Sequence, residues 1–206
     1  MKEYKSIIKH YESCFEKHGD SHLGMDWPNT EDVFTRFQIM LDSVRENNEQ
    51  VSILDFGCGT GHLLEYIKDQ NIQNIKYTGL DISLKLIDKC KEKFPDVDFI
   101  CADILDQKTI IKNHDYIIMN GVFTEKREMT FDAMWKYFQE MITKVYQFTN
   151  KGISFNVMSK NVDWERDDLF HLPLDLLTGF LCEEISRNFV IRNDYGLYEY
   201  TTYIYK

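Results

Sequence analysis

A glycine-rich turn joins an apolar segment to an amphipathic one at residues 51–67, VSILDFGCGTGHLLEYI, and few folds accommodate this combination. The apolar part is typical of a buried parallel strand, and the leucines after the turn have helical spacing. Gly57, Gly59 and Gly61 occupy alternate positions of the turn. Without Cβ atoms the backbone can bend tightly and approach a ligand closely. The segment therefore predicts a strand, a ligand-binding turn and a helix.

The spacing of these glycines distinguishes between ligands. The dinucleotide fingerprint G-x-G-x-x-G would need a glycine at position 62, which is occupied by His62. The chain instead carries G-x-G-x-G, with the acidic residue Asp55 before it. An NAD-linked oxidoreductase is accordingly the less favoured alternative.

Three further apolar segments also end in polar residues. Residues 76–82 contain Asp81, about twenty residues beyond the glycines, where nucleotide-binding α/β folds place a carboxylate on ribose hydroxyls. The segments at 97–104 and 115–121 end near Asp103 and Asn120. Because ligands bind at the carboxyl edge of open parallel sheets, these side chains predict one shared site.

These motifs resemble those of the class I S-adenosylmethionine (SAM) dependent methyltransferases, over roughly residues 51–159. The resemblance implies that Asp81 anchors the ribose and that Asp103 accepts from the adenine amino group. The other residues that it assigns to the cofactor are Asp55 with the backbone of Gly57, Cys58, Gly59 and Gly61 for the methionine portion, Ile82 and Ile104 around the adenine, and Asn120 toward the methyl group. A helix cap or turn role stays open for Asp81 and Asp103.

The remaining pattern predicts the rest of the fold. Helical spacing over Tyr4–Phe15, ended by Gly19, and a second helix capped by Asn29 or Thr30 predict an N-terminal cap. The inward face of that second helix would be Val33, Phe34, Phe37, Met40, Leu41 and Val44. A helix over 134–145, a strand at 152–159 and a helix beginning at Pro173 follow.

The last two apolar segments, 189–194 and 197–206, are separated by only Tyr195 and Gly196, which permits an antiparallel hairpin but not a parallel crossover. We expect an α/β fold with a Rossmann-like, seven-stranded, mostly parallel sheet, an antiparallel C-terminal hairpin and helices on both faces. The chain is predicted to be a single domain over 1–206, with the cap at 1–48 and the core at 49–206.

Catalytic residues are harder to predict, because in-line transfer from a sulfonium depends mainly on alignment, and a base is needed only for a hydroxyl acceptor. The candidates for a base are His171, in the loop after the fifth strand, His22 in the cap loop, Asp194 and Glu199. Tyr11, Trp27 and Arg36 in the cap are candidates to contact the cofactor or close over the acceptor. Ordinary helix packing is an equal alternative for Tyr11.

Composition excludes other classes of function. A formal net charge of -10 argues against binding to phosphate backbones, and no N/D-P-P-Y/F motif of nucleic-acid amino-methyltransferases follows the fourth strand. The start lacks a signal-peptide core, and apolar runs are too short to span a membrane, so a cytoplasmic protein is expected. Five scattered cysteines predict free thiols, and the acidic run at 163–168 predicts a solvated surface, so we expect no metal site.

The sequence thus predicts a SAM-dependent methyltransferase that transfers a methyl group to oxygen of a small polar acceptor. The cap loop with WPN and the tail DYGLYEYT resemble small methyltransferases of surface-polysaccharide synthesis, including those that act on capsular phosphoramidate. A nucleotide-linked sugar or phosphoramidate precursor is the acceptor that this resemblance implies. A non-catalytic SAM-binding protein is the alternative that the sequence leaves open.

Overall fold

A central sheet with helices on both faces forms the architecture of the chain, whose computed structural model describes residues 3–45 and 49–206. In the described residues, the sheet follows the order β3-β2-β1-β4-β5-β8-β7, with a short β6 beside β5. The strands are β1 (Val51–Phe56), β2 (Ile75–Asp81), β3 (Asp98–Cys101), β4 (His114–Met119), β5 (Thr149–Ser159), β6 (His171–Leu172), β7 (Phe189–Arg192) and β8 (Glu199–Tyr205).

The first five strands run parallel, and β8 lies antiparallel between β5 and β7. The predicted mostly parallel sheet with an antiparallel C-terminal pair is therefore confirmed. Two details differ from the prediction. The connection within the pair is longer than Tyr195–Gly196, because β7 ends at Arg192 and β8 begins at Glu199. The two-residue β6, which pairs with the end of β5, was not predicted.

The helices are α1 (Lys5–His18), α2 (Thr30–Leu41), α3 (His62–Asp69), α4 (Leu84–Lys93), α5 (Phe131–Tyr146) and α6 (Leu174–Phe180), with a 3₁₀ turn at Leu23–Met25 and a π-helical turn at Leu181–Ile185. Side-chain caps begin several of them, and the predicted cap of the second helix is among these. Asn29 accepts from the Glu31 amide at 2.8 Å at the start of α2, and Ser83 and Thr130 cap α4 and α5. Gly19 ends α1 with a positive φ.

Two hydrophobic cores lie on opposite faces of the sheet. One is formed by α1, α5 and α6, and the other by α2, α3 and α4. The two N-terminal helices therefore have different roles, since α2 packs on the sheet whereas α1 and the 3₁₀ turn lie at its carboxyl edge. The prediction that Phe34 faces inward is wrong: its side chain is 51% exposed, because the buried stripe of α2 runs through Val33, Phe37 and Met40.

The division between a cap at 1–48 and a core at 49–206 stays a prediction, and its boundary lies beside residues 46–48, outside the described residues. All five cysteines carry free thiols. Among the helices in the described part of the chain, none combines the length and apolar character needed to cross a bilayer.

Candidate active site

A deep cavity opens at the carboxyl edge of the parallel strands, where the sequence predicts the site. Its space, including the open mouth, is about 1130 Å³. The ends of β1, β2 and β4 and the loop after β3 form its floor, α1 and the 3₁₀ turn cover it, and α5 closes one side. The predicted residues that line it are Tyr11, Trp27, Asp55, Gly57, Cys58, Gly59, Asp81, Ile82, Asp103, Ile104 and Asn120. Gly61 does not line it but starts α3 below.

The glycine turn after β1 brings bare backbone to this cavity. Gly59 has a φ of 56°, in the left-handed region where a Cβ is unfavourable. A Cβ added at this position would lie 2.6 Å from Met25 Sδ of the 3₁₀ turn. The turn therefore needs glycine both for its backbone conformation and for the close approach of the cap.

Asp55 is a buried carboxyl group on the floor of the cavity. It accepts a hydrogen bond of 2.6 Å from Tyr77 Oη. Burial raises the pKa of Asp55 to about 7, the hydrogen bond from Tyr77 opposes this shift, and the charge of Asp81 adds to it. A carboxyl group of this kind favours a ligand that brings positive charge.

Asp81 at the end of β2 links the glycine turn to the start of α4. Its carboxylate accepts from the Gly59 amide at 3.0 Å and from the Ser83 amide at 2.8 Å. Burial raises the pKa of Asp81 to about 6, and these amide hydrogen bonds oppose the shift. A carboxylate has about four lone-pair sites, so Asp81 keeps acceptor capacity for ligand hydroxyls beyond these amides.

Asp103 lies beyond β3 and contacts the cap. It accepts from Tyr4 Oη at 2.6 Å and from the Leu105 amide at 3.0 Å. Tyr4 stacks on Tyr137 of α5 with ring centroids 4.9 Å apart. Both tyrosines line the cavity and were missed as site residues, because Tyr4 has the spacing of a packing position in α1 and Tyr137 lies off the predicted inward face of α5.

The loop after β4 presents an unsatisfied polar atom. Asn120 Oδ1 is buried with no hydrogen-bond partner in the described structure. Buried polar atoms are nearly always paired, so this oxygen indicates a place for a ligand donor. Beside it, Tyr11 Oη donates to the Gly121 carbonyl at 3.3 Å. Burial raises the pKa of Tyr11 well above its usual range, so its hydroxyl stays a donor at neutral pH.

A chain of buried polar contacts holds Gly121 in place. Its amide donates to Asn156 Oδ1 at 2.7 Å, and Asn156 Nδ2 donates to Glu199 at 2.9 Å. Glu199 is 1% exposed, and its two carboxylate oxygens share the single Nε–H of Arg36, at 2.9 and 3.0 Å. The Arg36 guanidinium lies 4.5 Å from the Trp27 ring centroid. The Trp27 ring in turn packs against Gly121, where an added Cβ would lie only 2.6 Å from Trp27 Cζ2. The series of contacts therefore begins and ends at Gly121.

The structure corrects the candidates for a general base. His171 is buried in β6, away from the cavity: its Nδ1 donates to the Ser159 carbonyl at 2.7 Å, and its Nε2 accepts from the Arg166 amide at 3.2 Å. Both nitrogens are therefore occupied by structural hydrogen bonds. His22 does not line the cavity either, and its Nδ1 donates to the Trp27 carbonyl at 2.6 Å. It shapes the cap loop instead.

The two acidic candidates also have structural partners. Glu199 is the buried partner of Arg36, and Asp194 lies near the surface with Arg192 at 2.6 Å. Neither residue lines the cavity. Among the described lining residues, His62 is the one histidine, and it is held by Asp20 at 2.9 Å and Thr60 at 3.2 Å.

Comparisons with known proteins agree with this arrangement. A family model described as a methyltransferase domain matches residues 53–152, which span β1 to the start of β5. A protein of Mycobacterium tuberculosis named as a methyltransferase is 29% identical over 161 residues, covering 75% of this chain and 93% of that protein. These matches support a class I SAM-dependent methyltransferase.

More distant relatives share part or all of the fold. A malonyl-[acyl-carrier protein] O-methyltransferase of Priestia megaterium is 33% identical over 78 residues, and this chain spans 28% of its length. The crystal structure of magnesium protoporphyrin IX methyltransferase from Synechocystis PCC 6803 with bound SAM superposes with a TM-score of 0.68. That comparison covers 100% of this chain and 98% of the other at 14% identity, and it shows a shared fold.

The residues that line the cavity fit SAM, the cofactor bound in the Synechocystis structure. Bare backbone at Gly59, open acceptor sites on Asp81 and the unpartnered oxygen of Asn120 face one cavity. The carboxyl group of Asp55 supplies a site for positive charge. The cavity therefore suits SAM both by its shape and by the acceptor atoms of Asp81 and Asn120 that are open to a ligand.

Proposed function

We propose that the cavity binds SAM along the carboxyl edge of the sheet. Asp55 and the backbone of the glycine turn would hold the methionine portion, Asp81 the ribose, and Asp103 the adenine amino group. Ile82 and Ile104 would flank the adenine, with Tyr4 and Tyr137 at the same end. The observation that carries this proposal is the pair of buried carboxyl groups, Asp55 and Asp81, that line the same cavity as the Gly59 backbone.

We propose that the acceptor is a small polar molecule and that the methylated atom is oxygen. The end of the cavity near Asn120 and Gly121 is bounded by Tyr11 and Trp27. These residues offer hydrogen bonds and an aromatic surface in a space that α1 and the 3₁₀ turn cover. Such a roof favours a compact acceptor over a polymer, and the negative net charge disfavours nucleic acid.

SAM would supply the electrophilic methyl group, which its sulfonium makes easy to transfer. The protein's contribution would be to align the acceptor and exclude water, and alignment of this kind can be worth roughly 7 to 11 kcal/mol. Tyr11 would donate a hydrogen bond to the acceptor or hold the loop after β4 through the Gly121 carbonyl. With His171 and His22 engaged elsewhere, catalysis would depend on alignment rather than on a histidine base.

A turnover assay tests this function. The protein is incubated with SAM and separate acceptor classes: hydroxy acids, acyl thioester carboxylates, nucleotide-linked sugars and phosphoramidates. We expect formation of S-adenosylhomocysteine to depend on one class and the product to gain one methyl group by mass. Asp81→Asn should lower turnover at limiting SAM concentrations, and Asp98→Asn, an exposed change on β3, should retain it.

Several outcomes would count against the proposal. SAM binding without turnover on any class would favour a non-catalytic SAM-binding protein, and methylation at nitrogen or carbon would reject the oxygen acceptor. The relatives named above do not concern surface polysaccharides, so nucleotide-linked sugars enter as one class among others. The single domain over 1–206 and the cytoplasmic location stay predictions.

A further inference from the structure

A cluster of three potential metal ligands lies on the cap, outside the contacts assigned to SAM. His10 and Cys14 belong to α1, and Asp26 follows the 3₁₀ turn. His10 Nε2 lies 2.7 Å from Asp26 Oδ2 and 3.7 Å from Cys14 Sγ. One donor atom from each residue lies within 4.8 Å of both others.

The local structure brings these side chains together. His10 and Cys14 are four residues apart on a helix, so they share one face. Asp26 has a φ of 57° and a ψ of 31°, a left-handed conformation that follows the turn back toward α1. Its amide donates to the Leu23 carbonyl at 3.1 Å, which fixes the backbone that carries the carboxylate. Two rigid elements therefore supply the three groups.

The donor set and spacing match zinc. Imidazole, thiolate and carboxylate are the three zinc ligand types, with bond lengths of about 2.0 to 2.3 Å. In a tetrahedron these lengths separate ligand atoms by roughly 3.3 to 3.7 Å. The observed separations bracket that range, so small rotations of partly exposed side chains would complete the geometry. A thiolate ligand favours zinc over magnesium or calcium, which prefer oxygen.

The surrounding charges permit a cation here. Positive groups near the cluster include Arg127, Arg166 and Lys17. Arg127 pairs with Glu125 at 3.1 Å and with Asp168 at 3.2 Å, and Arg166 pairs with Asp168 at 2.6 Å. Burial raises the pKa of Glu125, and the charge of Asp26 adds to this shift whereas that of His10 opposes it. Glu125 and Asp168 thus offset the two arginines, and Asp26 makes its ion pair with His10, inside the cluster.

We propose that His10, Cys14 and Asp26 bind one zinc ion, with water as the fourth ligand. This site would join α1 to the segment that carries Met25 and Trp27, both of which line the cavity. Zinc would therefore fix α1 and the segment after the 3₁₀ turn relative to each other within the cap. The inference departs from the metal-free expectation of the sequence because Asp26 is brought to His10 and Cys14 only by folding. It does not depend on SAM or on the acceptor.

Cobalt substitution tests the site directly. The chelator-treated protein is titrated with Co²⁺ and followed by visible and near-ultraviolet absorption, then with Zn²⁺ in competition. We expect one equivalent of Co²⁺ to give thiolate charge-transfer and tetrahedral bands that Zn²⁺ abolishes. Cys14→Ser should remove the charge-transfer band and weaken Zn²⁺ binding at least about 100-fold, above the 10- to 100-fold cost of losing an outer-shell partner.

Two further variants make the test decisive. Asp26→Asn retains the left-handed conformation and a hydrogen-bonding oxygen but removes the charge, and it should also weaken binding. Cys182 is a free thiol on the π-helical turn, outside the proposed site. The Cys182→Ser variant should therefore bind zinc as the unmodified protein does. Absence of thiolate bands in the unmodified protein would overturn the proposal, as would bands that survive Cys14→Ser or vanish in Cys182→Ser. Circular dichroism of each variant would confirm that it folds.

Discussion

At the residue scale, the cavity is governed by two buried carboxyl groups that have different surroundings. Asp55 has one hydrogen-bond donor, Tyr77, whereas Asp81 has two backbone amides. Burial raises the pKa of both groups, and the shift is opposed by the amides at Asp81 and by Tyr77 at Asp55. Each amide also fixes a piece of the site, because Gly59 and Ser83 belong to the turn and to the cap of α4.

Replacement of Asp81 by asparagine tests the role proposed for its free acceptor sites. The amide side chain of Asp81→Asn would keep one oxygen for the backbone but lose charge and acceptor capacity toward ribose hydroxyls. We expect SAM affinity to fall by about 1.5 to 3 kcal/mol, the usual scale of hydrogen bonds to a charged group. Isothermal calorimetry measures the change, and Asp98→Asn is the matched control. Unchanged affinity in a folded Asp81→Asn protein would place the ribose elsewhere.

We expect the affinity for SAM to depend on pH through the ionisation of Asp55. Its folded pKa of about 7 lies above its ordinary value of 3.8. The free energy of unfolding of the ligand-free protein therefore falls as pH rises from about 4 to 7. A bound ammonium group favours the carboxylate, so binding should strengthen over the same range. We expect SAM affinity to rise by up to about tenfold per pH unit between about pH 5 and 7, and then to level. Calorimetry at several pH values checks this.

The control for that prediction is Asp55→Asn, which cannot ionise. Its SAM affinity should be weak and should depend less on pH than that of the unmodified protein. A flat profile in the unmodified protein would show that Asp55 does not exchange its proton on binding. An equally steep profile in Asp55→Asn would assign the dependence to another group, with Asp81 as the first to examine.

At the scale of secondary-structure elements, the chain of contacts from Arg36 to Gly121 connects α2, β8, β5 and the loop after β4. Each link is a contact between elements distant in sequence, such as the 163-residue separation of Arg36 and Glu199. The loop after β4 thus takes its position from the opposite core of the molecule. The position of this loop should therefore be sensitive to substitutions of residues that do not line the cavity.

Glu199→Gln should disrupt this connection. Breaking a buried ion pair by removing one charge typically costs about 3 to 5 kcal/mol, because the partner charge stays buried. We expect a loss of that order in the free energy of unfolding, measured by denaturant titration. Glu92→Gln is the control, since its ion pair with Lys89 is exposed and should be worth less than about 1 kcal/mol. Equal effects of the two variants would contradict the proposed chain of contacts.

At the scale of the whole molecule, the cavity lies between the N-terminal segment and the sheet edge. Tyr4 and Tyr11 of the N-terminal segment contact Asp103 and Gly121, which are 99 and 110 residues away along the chain. Ser83 Oγ at the start of α4 also donates to Glu12 of α1 at 2.6 Å. The cap is therefore held by a small number of polar contacts around the mouth of the cavity.

Binding of SAM should strengthen this attachment, because a ligand in the cavity would contact both sides. We expect amide hydrogen exchange in α1 and the 3₁₀ turn to slow when SAM is added at about 100 times its Kd, a concentration that adds about 2.7 kcal/mol of stability. Residues 160–168, which do not line the cavity, provide the comparison within the same experiment. Protection confined to the glycine turn, with α1 unchanged, would show that the cap does not respond to the ligand.

Local pattern was sufficient to predict the sheet, the glycine turn and the polar ends of the strands, because these depend on short-range period and on the conformational freedom of glycine. Asp55, Asp81, Asp103 and Asn120 could be predicted because parallel strands place their carboxyl ends at one edge. Antiparallel pairing at the end of the chain followed from the short connection, although its length was underestimated.

Packing between elements that are distant in sequence determines which segments cover the carboxyl edge of the sheet. It also determines which polar side chains are used in structural hydrogen bonds. The burial of His171 between Ser159 and Arg166 depends on β6, a two-residue strand with no periodic signal. The stacking of Tyr4 on Tyr137 depends on how the N-terminal segment meets α5. A periodic pattern identifies the buried face of an element but not its partner, since contacts over long sequence separations arise only when separate elements pack together.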